Sequence, residues 1–213
     1  MTDIEQGTTT TGVSGQVGTA GTTVKSGIVS SLKGIDEIEA EIVSLVRNTV
    51  SNAIRSTGAV SSEALGTVRD VVKGAISATE EVGTGLVLAS KSVAKGVVMG
   101  VSDVGGDMIG AATETAKAAV KGAAEVGGDV AMVAKRTVDG VVEAAQETGG
   151  NAAHLAVAAA NGAVEAAGNI GKSAVGTVRD MLVGVVGGVK DVAGAALPKS
   201  APTEAAPTRT GEA

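Results

Sequence analysis

Glycine recurs along this chain at a spacing of 22 residues. Gly83, Gly105, Gly127, Gly149 and Gly171 form one ladder. Gly74, Gly96, Gly140, Gly162 and Gly184 form a second, with Ala118 filling its one gap. Such regularity marks a tandem array. Six blocks follow from it: 62–83, 84–105, 106–127, 128–149, 150–171 and 172–193. Two distant stretches hold the same frame, "GTVRDVVKG" at 66–74 and "GTVRDMLVG" at 176–184, five repeats apart.

Each block reads as an 11-residue unit used twice. Eleven residues over three turns give about 3.67 per turn, which keeps one stripe on one side of a helix with little supercoiling. In block 128–149 the apolar places hold Val130, Ala131, Ala134, Thr137, Val138, Val141, Val142, Ala145, Thr148 and Gly149. The charges Asp129, Lys135, Arg136, Asp139, Glu143 and Glu147 stand opposite. The apolar arc is roughly 130° wide, a normal amphipathic width. Over the array that face is carried by Val97, Val98, Val101, Val104, Val120, Val126, Val130, Val138, Val141, Val142, Val164, Ile170, Val185 and Val186. The pattern predicts an all-α protein, either one long amphipathic 11-residue-repeat helix or a series of helical segments.

On this reading the glycines are costly. Gly105, Gly127 and Gly149 fall in the middle of the apolar face, and each mid-helix glycine costs about 1 kcal/mol relative to alanine. Replacing all three by alanine is expected to raise helix stability by up to about 3 kcal/mol. The array is expected to be a weak helix in water that orders when its apolar face meets a surface.

The flanks differ in texture. Residues 1–26 are Thr- and Gly-rich and are expected to be a flexible arm. In the next segment, 27–61, Ile28, Leu32, Ile35, Ile38, Ile42, Leu45, Val46, Val50 and Ile54 recur at three and four, a helix signature. Its acids come early and its arginines late, which suits the helix dipole. The array occupies 62–196. Pro198, Pro202 and Pro207 all lie in 197–213, which is expected to be a disordered tail.

Little chemistry can be assembled. Phe, Tyr and Trp are absent, so a core would be thin, built of Val and Ala with a little Ile, Leu and Met. With no cysteine there is neither a disulfide framework nor thiol chemistry. The formal net charge of −6 offers no general affinity for nucleic acid. The one histidine, His154, falls on the polar side without a carboxylate spaced to orient it. "GTGLVLAS" at 83–90 begins like a dinucleotide fingerprint, but Leu88 stands where the third glycine is needed. Gly96/Gly100, Gly106/Gly110 and Gly184/Gly188 have the spacing of helix-packing pairs, which outside a membrane span the repeat composition alone can produce. No enzyme, cofactor or metal site is expected. No secretory signal or bilayer-spanning segment is visible.

Segments such as "AKGVVMGVSDVGGD" (94–107) and "AKRTVDGVVEAAQETGG" (134–150) resemble the repeats of synucleins, and more broadly those of perilipins, exchangeable apolipoproteins and late-embryogenesis-abundant proteins. The resemblance covers 62–196 and is one of pattern. It implies reversible helix formation on a lipid or other apolar surface and carries no catalytic residues. The six blocks hold 11 Lys and Arg against 15 Asp and Glu, where synuclein-like repeats are Lys-rich. Adsorption would therefore be driven by the apolar face, onto neutral droplets, polymer granules in the manner of phasins, or defect-rich bilayers. The expected function is that of a cytoplasmic, peripheral coat on a lipid or polymer inclusion or membrane. A stress protectant and a self-associating helical structural protein packing through Gly and Ala faces are the alternatives.

Overall fold

The computed structural model describes residues 34, 36–56, 61–82 and 85–196. The arm 1–26, the start of the first helical segment and the tail 197–213 lie outside the described residues. Within them the chain is helical: α1 (36–56), α2 (Ser61–Val82), α3 (Leu86–Ser102), α4 (Met108–Glu125), α5 (Val130–Thr148), α6 (Ala152–Ile170) and α7 (Lys172–Ala196). The segmented form of the expected all-α fold is the one realised.

The double glycine is what cuts the array into segments. Gly105, Gly127 and Gly149 lie at φ +67°, +71° and +72°, the left-handed region that closes helices. The second glycine of each pair then donates its N–H back across the last turn: Gly106 to Val101 at 2.9 Å, Gly128 to Ala123 at 2.7 Å and Gly150 to Ala145 at 2.8 Å. This is the six-to-one bond of a Schellman end. The next residue caps the following helix. The Asp107 carboxylate accepts the N–H groups of Ile109 and Gly110, Asp129 accepts that of Met132, and Asn151 that of His154, all at 3.0 Å. Three residues, Gly-Gly-Asp or Gly-Gly-Asn, thus end one helix and start another every 22 positions. The expectation that Gly105, Gly127 and Gly149 sit mid-face in a helix is corrected: they are exposed in turns, where alanine would be strained.

Consecutive helices reverse direction, and helices two apart run parallel. The parallel register is read from three pairs of contacts: Leu65 against Gly110 and Arg69 with Glu114 between α2 and α4; Lys91 against Gly140 and Lys95 with Glu147 between α3 and α5; Thr113 against Gly162 and Lys117 with Glu165 between α4 and α6. The result is two layers, α1, α3, α5 and α7 in one and α2, α4 and α6 in the other. This is the stacking expected of helical repeats, in which each unit covers the apolar face of its neighbours. Valine and alanine fill the strip between layers, with Val97, Val98, Val120, Val133, Val138 and Val141 fully enclosed.

α1 belongs to the array but stands one turn out of its frame. Gly140 lies over Lys91 and Gly162 over Thr113, each 49 residues earlier, whereas Gly96 lies over Val43, 53 residues earlier. The four extra residues equal about one turn of helix. At the other end α7 departs from the pattern. A single extended residue, Gly171, joins it to α6. Gly184, which the ladder would place over Lys135, is exposed with nothing within 4 Å of a Cβ built on it.

Candidate assembly interface

The seams between parallel helices are built from glycine and main chain. A Cβ added at Gly140 would overlap the Lys91 carbonyl oxygen, and one at Gly162 the Thr113 carbonyl oxygen. On α3, a Cβ at Gly96 would stand 2.8 Å from the Val43 oxygen and one at Gly100 2.7 Å from the Arg47 oxygen. Real Cβ atoms do not approach so closely, so these helices touch backbone to backbone. The Thr113 hydroxyl crosses its seam to the Ala158 carbonyl at 3.3 Å. Gly96, Gly140 and Gly162 of the second glycine ladder are therefore contact residues. Gly96/Gly100 is a true packing pair and not a by-product of composition, while Gly184 and Gly188 meet nothing within 4 Å.

Charges flank the seams in a fixed sense, with the cation on the earlier helix and the acid on the later one. Arg47 reaches Asp103 with two hydrogen bonds of 2.6 and 2.7 Å. Arg69 reaches Glu114 at 2.7 Å, Lys91 reaches Glu143 at 2.5 Å, Lys95 reaches Glu147 at 2.6 Å and Lys117 reaches Glu165 at 2.8 Å. Arg47–Asp103 and Lys95–Glu147 are the same pair in successive units once the one-turn offset of α1 is allowed for. The hydrogen bond from Arg47 holds the Asp103 carboxyl below its ordinary range, and its partner's guanidinium is held above its own. Hydrogen bonding to Glu147, helped by the charge of Glu143, raises Lys95. Among the described residues Lys135 has no such partner across its seam; it turns to Asp139 on its own helix at 2.9 Å.

The residues expected on the apolar face divide by their place in the stack. Val97, Val98, Val101, Val120, Val138 and Val141 are buried, whereas Val104, Val126, Val130, Val142, Val164, Val185 and Val186 are half-buried. Ile170 is corrected: it lies at the end of α6 and is 44% exposed. Of the marker glycines, Gly105, Gly127, Gly149 and Gly171 are hinge residues between helices, and Gly83 lies outside the described residues. His154 is exposed in the first turn of α6. Gly85, within the false dinucleotide motif, starts α3 from a left-handed conformation.

Two surface grooves follow the seams. One of about 560 Å³ lies along α1, α3 and α5 beside Arg47, Lys95 and Glu147, and another of about 860 Å³ lies along α2, α4 and α6 beside Arg69, Lys117 and Glu165. The seam pairs line both, together with charges outside the seams such as Glu39 in the first and Asp70, Lys73 and Lys121 in the second. Among the described residues no three potential metal ligands cluster.

The seam residues were largely missed by periodicity. Lys91 and Thr113 contribute main-chain oxygens, which no side-chain pattern reveals. The caps Asp107, Asp129 and Asn151 did carry a signal, since an acid or amide after a double glycine is a stop followed by a start. No protein-family model matches this chain, and no curated protein is similar to it.

Proposed function

We propose that this chain is a non-enzymatic helical-repeat scaffold that works by packing Gly and Ala faces, the self-associating structural alternative among the sequence-based expectations. One observation carries it. Gly140 and Gly162 leave room for a neighbouring helix backbone and for nothing else, a feature of no use to a helix lying alone on an apolar surface. Circular dichroism in plain buffer tests the reading. A scaffold is helical there and melts cooperatively, with no gain on adding vesicles. Helix that appears only with neutral or anionic vesicles overturns it in favour of the coat, and helix that appears only on drying favours a protectant.

A second reading keeps the cytoplasmic, peripheral coat on a lipid or polymer surface. It is favoured by the make-up of the core, which buries the hydroxyls of Thr115 and Thr137 without a hydrogen-bond partner. Each such group costs about 1–3 kcal/mol. An array so weakened opens more readily, and its Val/Ala faces are then free to lie on another apolar phase. No helix among the described residues is long and apolar enough to cross a membrane.

A further inference from the structure

Four seams, α1–α3, α2–α4, α3–α5 and α4–α6, join unlike faces. The later helix offers an acid and the earlier helix a cation, and in all but α2–α4 a glycine of the later helix meets a main-chain oxygen of the earlier one. The two edges of the array are therefore unlike and complementary: α1 and α2 expose the later-helix face, α6 and α7 the earlier-helix face.

Among the described residues both edges are bare. Gly74 stands on the ladder of Gly96, Gly140 and Gly162 but is exposed, with nothing within 4 Å of a Cβ placed on it. Leu45, 68% exposed on α1, corresponds to Val93 of α3, which is 5% exposed. Asp70 occupies the place that Glu114 holds one unit pair later, where Glu114 takes Arg69. At the far edge, exposed Arg179 repeats Arg69 five units on, and Val183 beside it is 66% exposed. Soluble repeat arrays ordinarily end in units with a polar outer face; these edges keep apolar residues and half of an ion pair each.

We infer that a second copy of this chain docks its α1/α2 edge on the α6/α7 edge of the first, so that the array continues from one molecule into the next. In the register of the internal seams, α1 of the second copy takes the place after α7 and lies on α6. Its α2 then lies on α7, with Gly74 over the Arg179 main chain and Asp70 against the Arg179 guanidinium. Such a contact is heterologous, so it leaves a free edge at each end of the pair and propagates into a filament, or into a ring where its rotation closes. The inference rests on the scaffold reading, since it requires the folded array.

The chain has no cysteine, which makes the test direct. Asp70→Cys and Arg179→Cys are prepared as separate proteins and oxidised alone and mixed. The expected result is a disulfide-linked pair in the mixture only. A self-linked Asp70→Cys dimer overturns the inference by showing a symmetric contact, and so does absence of linkage in a mixture as helical as the unaltered chain. Sedimentation of the unaltered chain gives an independent arm. Its mean mass is expected to climb with concentration beyond that of a dimer, Arg179→Glu to suppress that climb, and Asp70→Arg combined with Arg179→Asp to restore it. A helical chain that stays monomeric, or stops at dimer, overturns the docking but leaves the scaffold standing. An unaltered chain without helix in buffer removes the scaffold reading itself.

Discussion

The methyl that Gly140→Ala would add meets the Lys91 carbonyl oxygen, and at Gly162 it meets that of Thr113. Overpacking of this kind costs about 1–3 kcal/mol, against a helix-propensity gain of about 1 kcal/mol. Gly140→Ala and Gly162→Ala are therefore expected to lower the denaturant midpoint. Gly168→Ala, on the open side of α6 with nothing within 4 Å of the added atom, is expected to raise it through propensity alone. The turn glycines respond differently again. Alanine at Gly127, where φ is +71°, is expected to cost about 1–2 kcal/mol in a left-handed conformation. The combined Gly105, Gly127 and Gly149 replacement thus loses stability, opposite in sign to the gain expected from a continuous helix. Equal effects at Gly140, Gly127 and Gly168 in parallel urea melts would show that these glycines share one environment.

At the scale of the element, the unit is a helix with its end and its beginning encoded in three residues. Asp129→Ala removes the acceptor of the Met132 N–H and is expected to cost about 1 kcal/mol, as N-cap losses do; Asp129→Asn is expected to retain most of it. The pair holding α1 to α3 adds a pH signature. The Asp103 carboxyl is depressed by its hydrogen bond from Arg47, so its contribution is present at neutral pH and is lost as pH falls through the depressed value, below the ordinary carboxylate range of about 3.9. Both side chains are partly exposed, at 40% and 27%, which limits the contribution to about 1 kcal/mol. The difference in melting temperature between the unaltered chain and Arg47→Met is expected to shrink on acidification from pH 6 towards 3; a difference that stays constant would remove the ion pair from the account. Helix type was legible in the sequence because three-and-four spacing is strong in every block. Segmentation was not, for a geometric reason. Twenty-two residues make six turns, so the same side chains share a face whether the helix runs on or breaks and folds back. Gly-Gly-Asp at 105–107 and 127–129 and Gly-Gly-Asn at 149–151 held the missing information.

At the scale of the whole molecule, small residues let the layers come close. The core lacks any aromatic ring, and its buried volume comes from Val and Ala brought into contact by glycine at the seams. The contact glycines were visible in the sequence as members of a regular set, but their meaning depended on partners 49 or 53 residues away, beyond the reach of any local pattern. Gly96 of that set, with Gly100 one turn on, explains why α1 belongs to the stack despite standing outside the 22-residue frame, since the two seat it directly. Folding back is the central claim, and a distance decides it. Lys121 on α4 and Asn169 on α6 are both exposed and flank the Lys117–Glu165 seam. With spin labels on cysteines introduced at these two positions in the otherwise cysteine-free chain, pulsed electron paramagnetic resonance in plain buffer reads their separation. The folded array predicts a short distance, set by neighbouring helix axes about 8–10 Å apart plus the label arms. A single unbroken helix would instead place the labels roughly 72 Å apart, at about 1.5 Å per residue, and that result would contradict the account.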